Sequence, residues 1–89
     1  MKITVVYALP DRQEVRELVL DAGADLGVAL QASGLLREFP EIEGKGFAVG
    51  IYGQVASRAA ILHPGDRVEI YRPLTLEPKE ARRKRVNKG

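Results

Sequence analysis

Residues 62–74 read Leu-His-Pro-Gly-Asp-Arg-Val-Glu-Ile-Tyr-Arg-Pro-Leu, and this stretch decides the architecture. Pro64-Gly65-Asp66 has the chemistry of a tight turn: proline presets φ, glycine accepts left-handed angles, and aspartate bonds nearby backbone. The turn leads straight into an alternation, Val68, Ile70 and Arg72 against Glu69 and Tyr71. Period two predicts a strand with one face buried. The strand is expected over residues 67–73, with Pro73 ending it or lying at its edge, where a missing N–H does little harm.

Working outward, residues 2–9 alternate in the same way, Ile3, Val5, Tyr7 and Leu9 against Lys2, Thr4, Val6 and Ala8, which predicts a strand with the odd face buried. Pro10-Asp11-Arg12 is a turn, and a second strand follows at about 13–20. Its apolar residues Val15, Leu18 and Leu20 break strict alternation, so a β-bulge near Arg16-Glu17 is expected to restore the register. The two strands form an N-terminal hairpin. Asp25 is a good helix N-cap, and Leu26, Ala29, Leu30 and Ser33 fall at i, i+3, i+4 and i+7 before Gly34, which suits the left-handed closing position. Gly27 within this helix costs about 1 kcal/mol against alanine; it either allows close helix–sheet contact or is tolerated.

Leu35, Leu36 and Phe39 read as an apolar connector ahead of Pro40, and Glu41 to Gly46 as a polar loop. Phe47, Val49 and Ile51 alternate with Ala48, Gly50 and Tyr52 in a third strand that turns at Gly53. Gln54 to Ala56 suits a short edge strand. In the connection over 57–66, Ile61 and Leu62 are expected to tuck under the sheet. The order is β-β-α-β-β-β. The simplest packing is an α+β domain, a mixed sheet of four to five strands with one main helix across one face.

Composition bounds the function. Eighty-nine residues make one domain with a modest core. Cysteine is absent, which excludes a disulfide framework, a thiolate metal site and a cysteine nucleophile. No apolar run approaches the roughly 20 residues that span a bilayer, and the N-terminus reads as a strand and not as a signal peptide. A soluble cytoplasmic protein is the expectation. Net charge is +2 but unevenly divided: residues 1–76 hold eight Lys/Arg and ten Asp/Glu, residues 77–89 six Lys/Arg and two Glu. The expected organisation is a mildly acidic folded body over 1–76 and a basic, flexible tail over 77–89.

Taken together, the pieces resemble the RnfH family of bacterial ubiquitin-like (β-grasp) proteins. The matching residues are Val6-Tyr7-Ala8-Leu9-Pro10 with Gln13, Ala32-Ser33-Gly34-Leu35-Leu36, Phe39-Pro40-Glu41-Ile42, Val49-Gly50-Ile51-Tyr52-Gly53, and Gly65 to Leu74 with Pro78-Lys79-Glu80 and the basic run beyond. They stretch over nearly the whole chain, in order. The resemblance implies a β-grasp fold near the sulfur-carrier branch. It also implies association with a membrane electron-transport complex, or with a START-like partner in a toxin–antitoxin-type pair. It transfers no catalytic residues.

The residues themselves offer little chemistry. His63 is the one histidine, and a divalent metal generally needs three or four protein ligands. It reads as a loop residue. Ser33 and Ser57 lack a nucleophile-elbow context. Glu41, Glu43 and Asp66 read as solvated loop acids. Gly44-Lys45-Gly46 and Gly50 to Gly53 fit neither the Walker pattern nor the dinucleotide fingerprint. No catalytic residue, cofactor or metal is assigned, and the chain is expected not to be an enzyme.

Two regions remain. The sheet face away from the helix is expected to present Val6, Ala8, Tyr52, Gln54, Glu69 and Tyr71 to a partner protein, since tyrosine is amphipathic and enriched at interfaces. Lys79, Arg82, Arg83, Lys84, Arg85 and Lys88 form a cationic segment suited to weak, salt-sensitive contact with nucleic acid or another anionic surface; with no aromatic among them, base reading is not expected. The main reading is a non-catalytic adaptor, monomeric or weakly dimeric. The alternatives are tail-driven non-specific RNA binding and a sulfur carrier or modifier, the last disfavoured because Lys88-Gly89 stands where such proteins end in Gly-Gly.

Overall fold

The computed structural model describes residues 1–72. Lys2–Ala8 form β1 and Gln13–Val19 form β2; Leu26–Ser33 form α1, with short helical turns α2 at Leu35–Glu38 and α3 at Glu41–Gly44. Ala48–Ile51, Gln54–Val55 and Arg67–Tyr71 are β3, β4 and β5. The strands make one mixed sheet in the order β2-β1-β5-β3-β4. β1 and β5 are parallel central neighbours, with Val5 opposite Val68 and Tyr7 opposite Ile70, and every other pairing is antiparallel. This is the α+β arrangement expected of the sequence, a five-stranded mixed sheet with its main helix packed across one face.

The odd residues of β1 do what their period requires. Ile3, Val5 and Tyr7 are buried, together with Val68 and Ile70 of β5, Val49 of β3, and Leu26, Ala29 and Leu30 of α1. Removing that apolar surface from water is the main stabilising term, at about 25 cal/mol per Å². Asp25 caps α1 as expected, its Oδ1 accepting the Val28 N–H at 2.9 Å, and Gly34 closes the helix with φ 76°. Gly27 sits against the connection before β5 and not against the sheet: its N–H donates to the Arg58 carbonyl at 2.8 Å, and a Cβ there would lie 3.4 Å from that oxygen.

Several expectations are corrected. There is no bulge at Arg16-Glu17, because β2 pairs with β1 without interruption from Lys2 opposite Val19 to Ala8 opposite Gln13. The irregular pattern has another cause: β2 turns Glu14, Arg16 and Leu18 toward the half-buried side, and its valines face outward, Val15 at 48% and Val19 at 82% exposure. The apolar connector is helical at Leu35–Glu38, and the polar loop contains α3, whose single apolar residue Ile42 is fully buried. Leu62 tucks under the sheet, at 2% exposure, but Ile61 at 54% does not. β5 ends at Tyr71, and Pro73 lies outside the described residues.

Candidate functional site

The even positions of β1 and the odd positions of β5 build the face away from α1. The strand registers lay this face out as a grid. One row runs Val15, Val6, Glu69, Gly50, and the next Thr4 with Glu17 and Arg67 on either side. Extending the same register by one step sets Ala8 and Gln13 beside Tyr71, which pairs with Ala48. The small side chains Ala8, Ala48 and Gly50 keep the floor low around Tyr71. The result is a shallow depression of about 160 Å³ whose lining includes Val6, Ala8, Gln13, Arg67, Glu69 and Tyr71.

Glu69 organises this face. Its Oε1 accepts the Tyr71 hydroxyl and the Gly53 N–H, each at 2.7 Å, and its Oε2 accepts Arg67 Nε at 3.0 Å. Those bonds favour the carboxylate: the Tyr71 hydroxyl, then the Gly53 N–H and Arg67, hold Glu69 below the usual range against a desolvation that opposes them. The complementary effect falls on Tyr71. Desolvation, with the bond to Glu69 behind it, pushes its phenol up to about 12.

Gly50 is the residue this network leans on. A Cβ at that position would come within 2.2 Å of the Gln54 carbonyl oxygen and 2.7 Å of the Tyr71 hydroxyl. The glycine is there for close approach; the sequence reading places it in the third strand and finds no nucleotide-binding pattern in Gly50 to Gly53, but gives it no role of its own. An isolated glycine in a strand is the available signal for a backbone or ring passing over it.

Of the residues expected on this face, Ala8 and Gln54 are exposed, and Glu69 and Tyr71 are half-buried by their mutual bonds. Val6 is on the face but forms its floor, at 3% exposure. Tyr52 is not a strand residue. It occupies the β3–β4 turn with φ 49°, followed by Gly53 at φ 83°, as a two-residue hairpin of the type I′ class requires. It remains 63% exposed, and its hydroxyl donates to the Gly65 carbonyl at 2.7 Å. The two tyrosines therefore flank Glu69 from different elements and do not form one aromatic patch. The six cations from Lys79 to Lys88 lie outside the described residues.

A second polar cluster escaped the sequence reading. Tyr7 is fully buried, and its hydroxyl donates to Glu41 Oε2 at 2.8 Å and accepts from Arg72 Nη1 at 2.9 Å. Arg72 also lies over the Phe47 ring at 5.6 Å. A tyrosine on a core face needs a partner for its hydroxyl, and that requirement was the sign that Glu41 is not a free loop acid. Burial and the Glu41 bond push the Tyr7 phenol up, and the cluster ties β1, and Arg72 just past the end of β5, to α3. His63 is an exposed loop residue whose N–H donates to Asp66 Oδ2 at 2.8 Å in the turn before β5. Among the described residues no three His, Cys, Asp or Glu side chains gather to hold a metal ion, and no helix is long and apolar enough to cross a membrane.

The family model described as RnfH family Ubiquitin matches residues 1–85. The chain belongs to the RnfH family. It is 52% identical over 84 residues to Protein RnfH of Halorhodospira halophila, covering 94% of this chain and 87% of that one. Protein RnfH of Serratia proteamaculans is 48% identical over 89 residues, covering 100% and 95%, and that of an Escherichia coli strain is 46% identical over 87 residues, covering 98% and 91%. Among solved structures, SAMP1 from Haloferax volcanii superposes with a TM-score of 0.62 at 19% identity, over 84% of this chain and 98% of that one. At that identity the likeness bears on fold alone, and it places this RnfH-family chain in the ubiquitin-like β-grasp class.

Proposed function

We propose that this RnfH-family protein is a non-catalytic, cytoplasmic adaptor that receives a partner protein on the sheet face away from α1. The observation that carries the reading is the outer face, which no described residue covers and where the depression over Val6 is bordered by a pre-ordered Tyr71–Glu69–Arg67 array. A ring already fixed by its own hydrogen bond loses little conformational freedom on binding, and tyrosine is enriched among residues that carry interface energy. Ala8 and Gln54 supply the exposed margin, with Tyr52 at its end. The ubiquitin-like fold is consistent with this use, as an analogy of architecture. In this reading residues 1–76 are the recognition body, and the basic segment 77–89 adds salt-sensitive attraction to anionic surfaces.

The test is affinity capture from native bacterial lysate, at low and high salt, with four baits: the full chain, Ala8→Arg on the outer face, Gln31→Arg on α1, and the chain without residues 77–89. Partners retained by Gln31→Arg and lost with Ala8→Arg support the assignment. Partners unaffected by Ala8→Arg remove the outer face from consideration. Partners lost only at high salt or on deletion of 77–89, especially RNA, transfer recognition to the basic segment.

A further inference from the structure

The open edge of β2 carries a pattern that the outer-face reading does not use. Among the described residues β2 is the outermost strand on its side, and it runs straight for seven residues, Gln13–Val19, with neither proline nor bulge to blunt it. Met1 and Leu20 exchange both backbone hydrogen bonds, Met1 N donating to the Leu20 carbonyl and Leu20 N to the Met1 carbonyl. In an antiparallel ladder bonded and unbonded pairs alternate. Residues 14, 16 and 18 therefore turn their backbone groups toward β1, and Gln13, Val15, Glu17 and Val19 turn theirs outward. The opposite edge has no comparable template, because β4 is the two-residue strand Gln54–Val55.

Inward-pointing charges normally discourage edge pairing, and β2 has two, Glu14 and Arg16. Their signs make the outcome depend on register. A two-fold axis normal to the sheet pairs residues of equal parity, which leaves three central registers. One centred on residue 16 sets Arg16 against its own copy. One centred on residue 17 sets Glu17 against its own copy. One centred on residue 15 sets Val15 against Val15 on the outer face, Gln13 against Glu17 on either side, and Glu14 against Arg16 twice on the inner face. Like charges directly opposite destabilise a sheet pair and unlike charges support it. The first two registers each contain a like-charge pair; the third contains none and gains two opposite-charge pairs.

We infer that β2 is a self-recognition edge, and that two copies of the chain join antiparallel about Val15 into one continuous sheet across both molecules. Val15, half-exposed among the described residues, is then covered by its symmetry mate. Arg16 has the reach for the role, since it already bonds Glu14 at 3.0 Å within its own strand and Glu38 at 2.6 Å. The pair takes up the Val15 and Gln13 margin of the outer face and leaves Val6, Ala8, Glu69 and Tyr71 uncovered, so the inference does not rest on the adaptor reading.

Sedimentation equilibrium of the full chain from micromolar to millimolar concentration should show the mean mass climbing from 9.8 kDa toward twice that value. The register is read with a short bismaleimide on two variants of this cysteine-free chain, Val15→Cys and Glu17→Cys. In the register centred on residue 15 the two Cα atoms at that position lie about 5.5 Å apart, and the two residue-17 positions are offset by about 13 Å along the strand. Val15→Cys should crosslink to dimer much faster than Glu17→Cys. Arg16→Glu should abolish association, and Glu14→Arg with Arg16→Glu should restore it, a rescue that loss of the Arg16–Glu38 bond alone does not allow. A chain that stays monomeric at every concentration overturns the inference. So does equal or faster crosslinking through residue 17, or failure of the charge swap to rescue.

Discussion

The two faces of this sheet are held by different physics. On the inner face Ile3, Val5, Val68, Ile70, Leu26 and Leu30 meet without a polar group between them. On the outer face the centre is a carboxylate: Glu69 gathers a phenol, a backbone N–H and a guanidinium around a glycine that has to remain a glycine. Apolar packing tolerates errors of direction but not of volume, whereas a hydrogen-bonded array over a tight backbone tolerates neither. The inner face accordingly sets stability. The outer face sets a fixed arrangement of polar groups and, together with the buried Tyr7 and its Glu41 partner, the dependence on pH.

Four substitutions test that division, in falling order of effect. Leu30→Ala, on the inner side, should cost about 3 kcal/mol by urea unfolding, the usual cost of deleting a buried leucine side chain; a loss below about 1 kcal/mol would mean the core collapses into the space and contradict a rigid inner layer. Gly50→Ala adds one methyl group to the outer face and should cost about 2 kcal/mol, with the Gly53 amide shifting in the NMR spectrum as Tyr71 and the β3–β4 turn are displaced. An unchanged spectrum would show that the close approach is not maintained in solution.

Tyr71→Phe should cost about 1 kcal/mol and change the alkaline limb. Folding raises the Tyr71 phenol from 10.0 to about 12, so its contribution is complete below pH 10 and is lost as pH rises toward 12. The wild type should lose stability over that window more steeply than Tyr71→Phe, with the remaining slope assigned to Tyr7, also raised. Parallel curves would separate Tyr71 from the network. The smallest effect belongs to Glu69→Gln, under about 1 kcal/mol for a partly exposed ionic group. Folding lowers the Glu69 carboxyl from 4.5. The stabilisation is present above that value and disappears as pH falls through the lower folded value, so this variant should flatten the acid limb near and below pH 4.5.

What could be read in the sequence followed the same division. The inner face was legible because β1, β5 and α1 repeat at clean periods, and Asp25 and Gly34 mark the helix ends with local chemistry. β2 misled because its valines face outward and its charges inward, so counting apolar residues put a bulge into a straight strand. α3 was missed because one buried residue, Ile42, establishes no period. Tyr52 continued the alternation of β3 on paper, yet the next residue, Gly53, lets the chain turn one position early, at a cost in backbone strain carried by the tyrosine. The outer-face network was invisible for a further reason. Glu69 and Tyr71 were expected side by side, but nothing local indicates that a glycine from β3 and an amide from a turn complete their surroundings.

The parallel pairing of β1 with β5 has a consequence for how the chain comes to be folded. The two middle strands of the sheet are made at opposite ends of the described segment, so during synthesis the centre of the sheet is filled only after every other described strand has been made. Until Tyr71 is available, β1 has only its hairpin partner, and the apolar sides of β1 and α1 share a layer with a gap through its middle. Long-range pairing of this kind slows folding. A chain cut short anywhere in β5 loses the central plank of its sheet, and a peptide that supplies Arg67–Tyr71 in trans has one place to go.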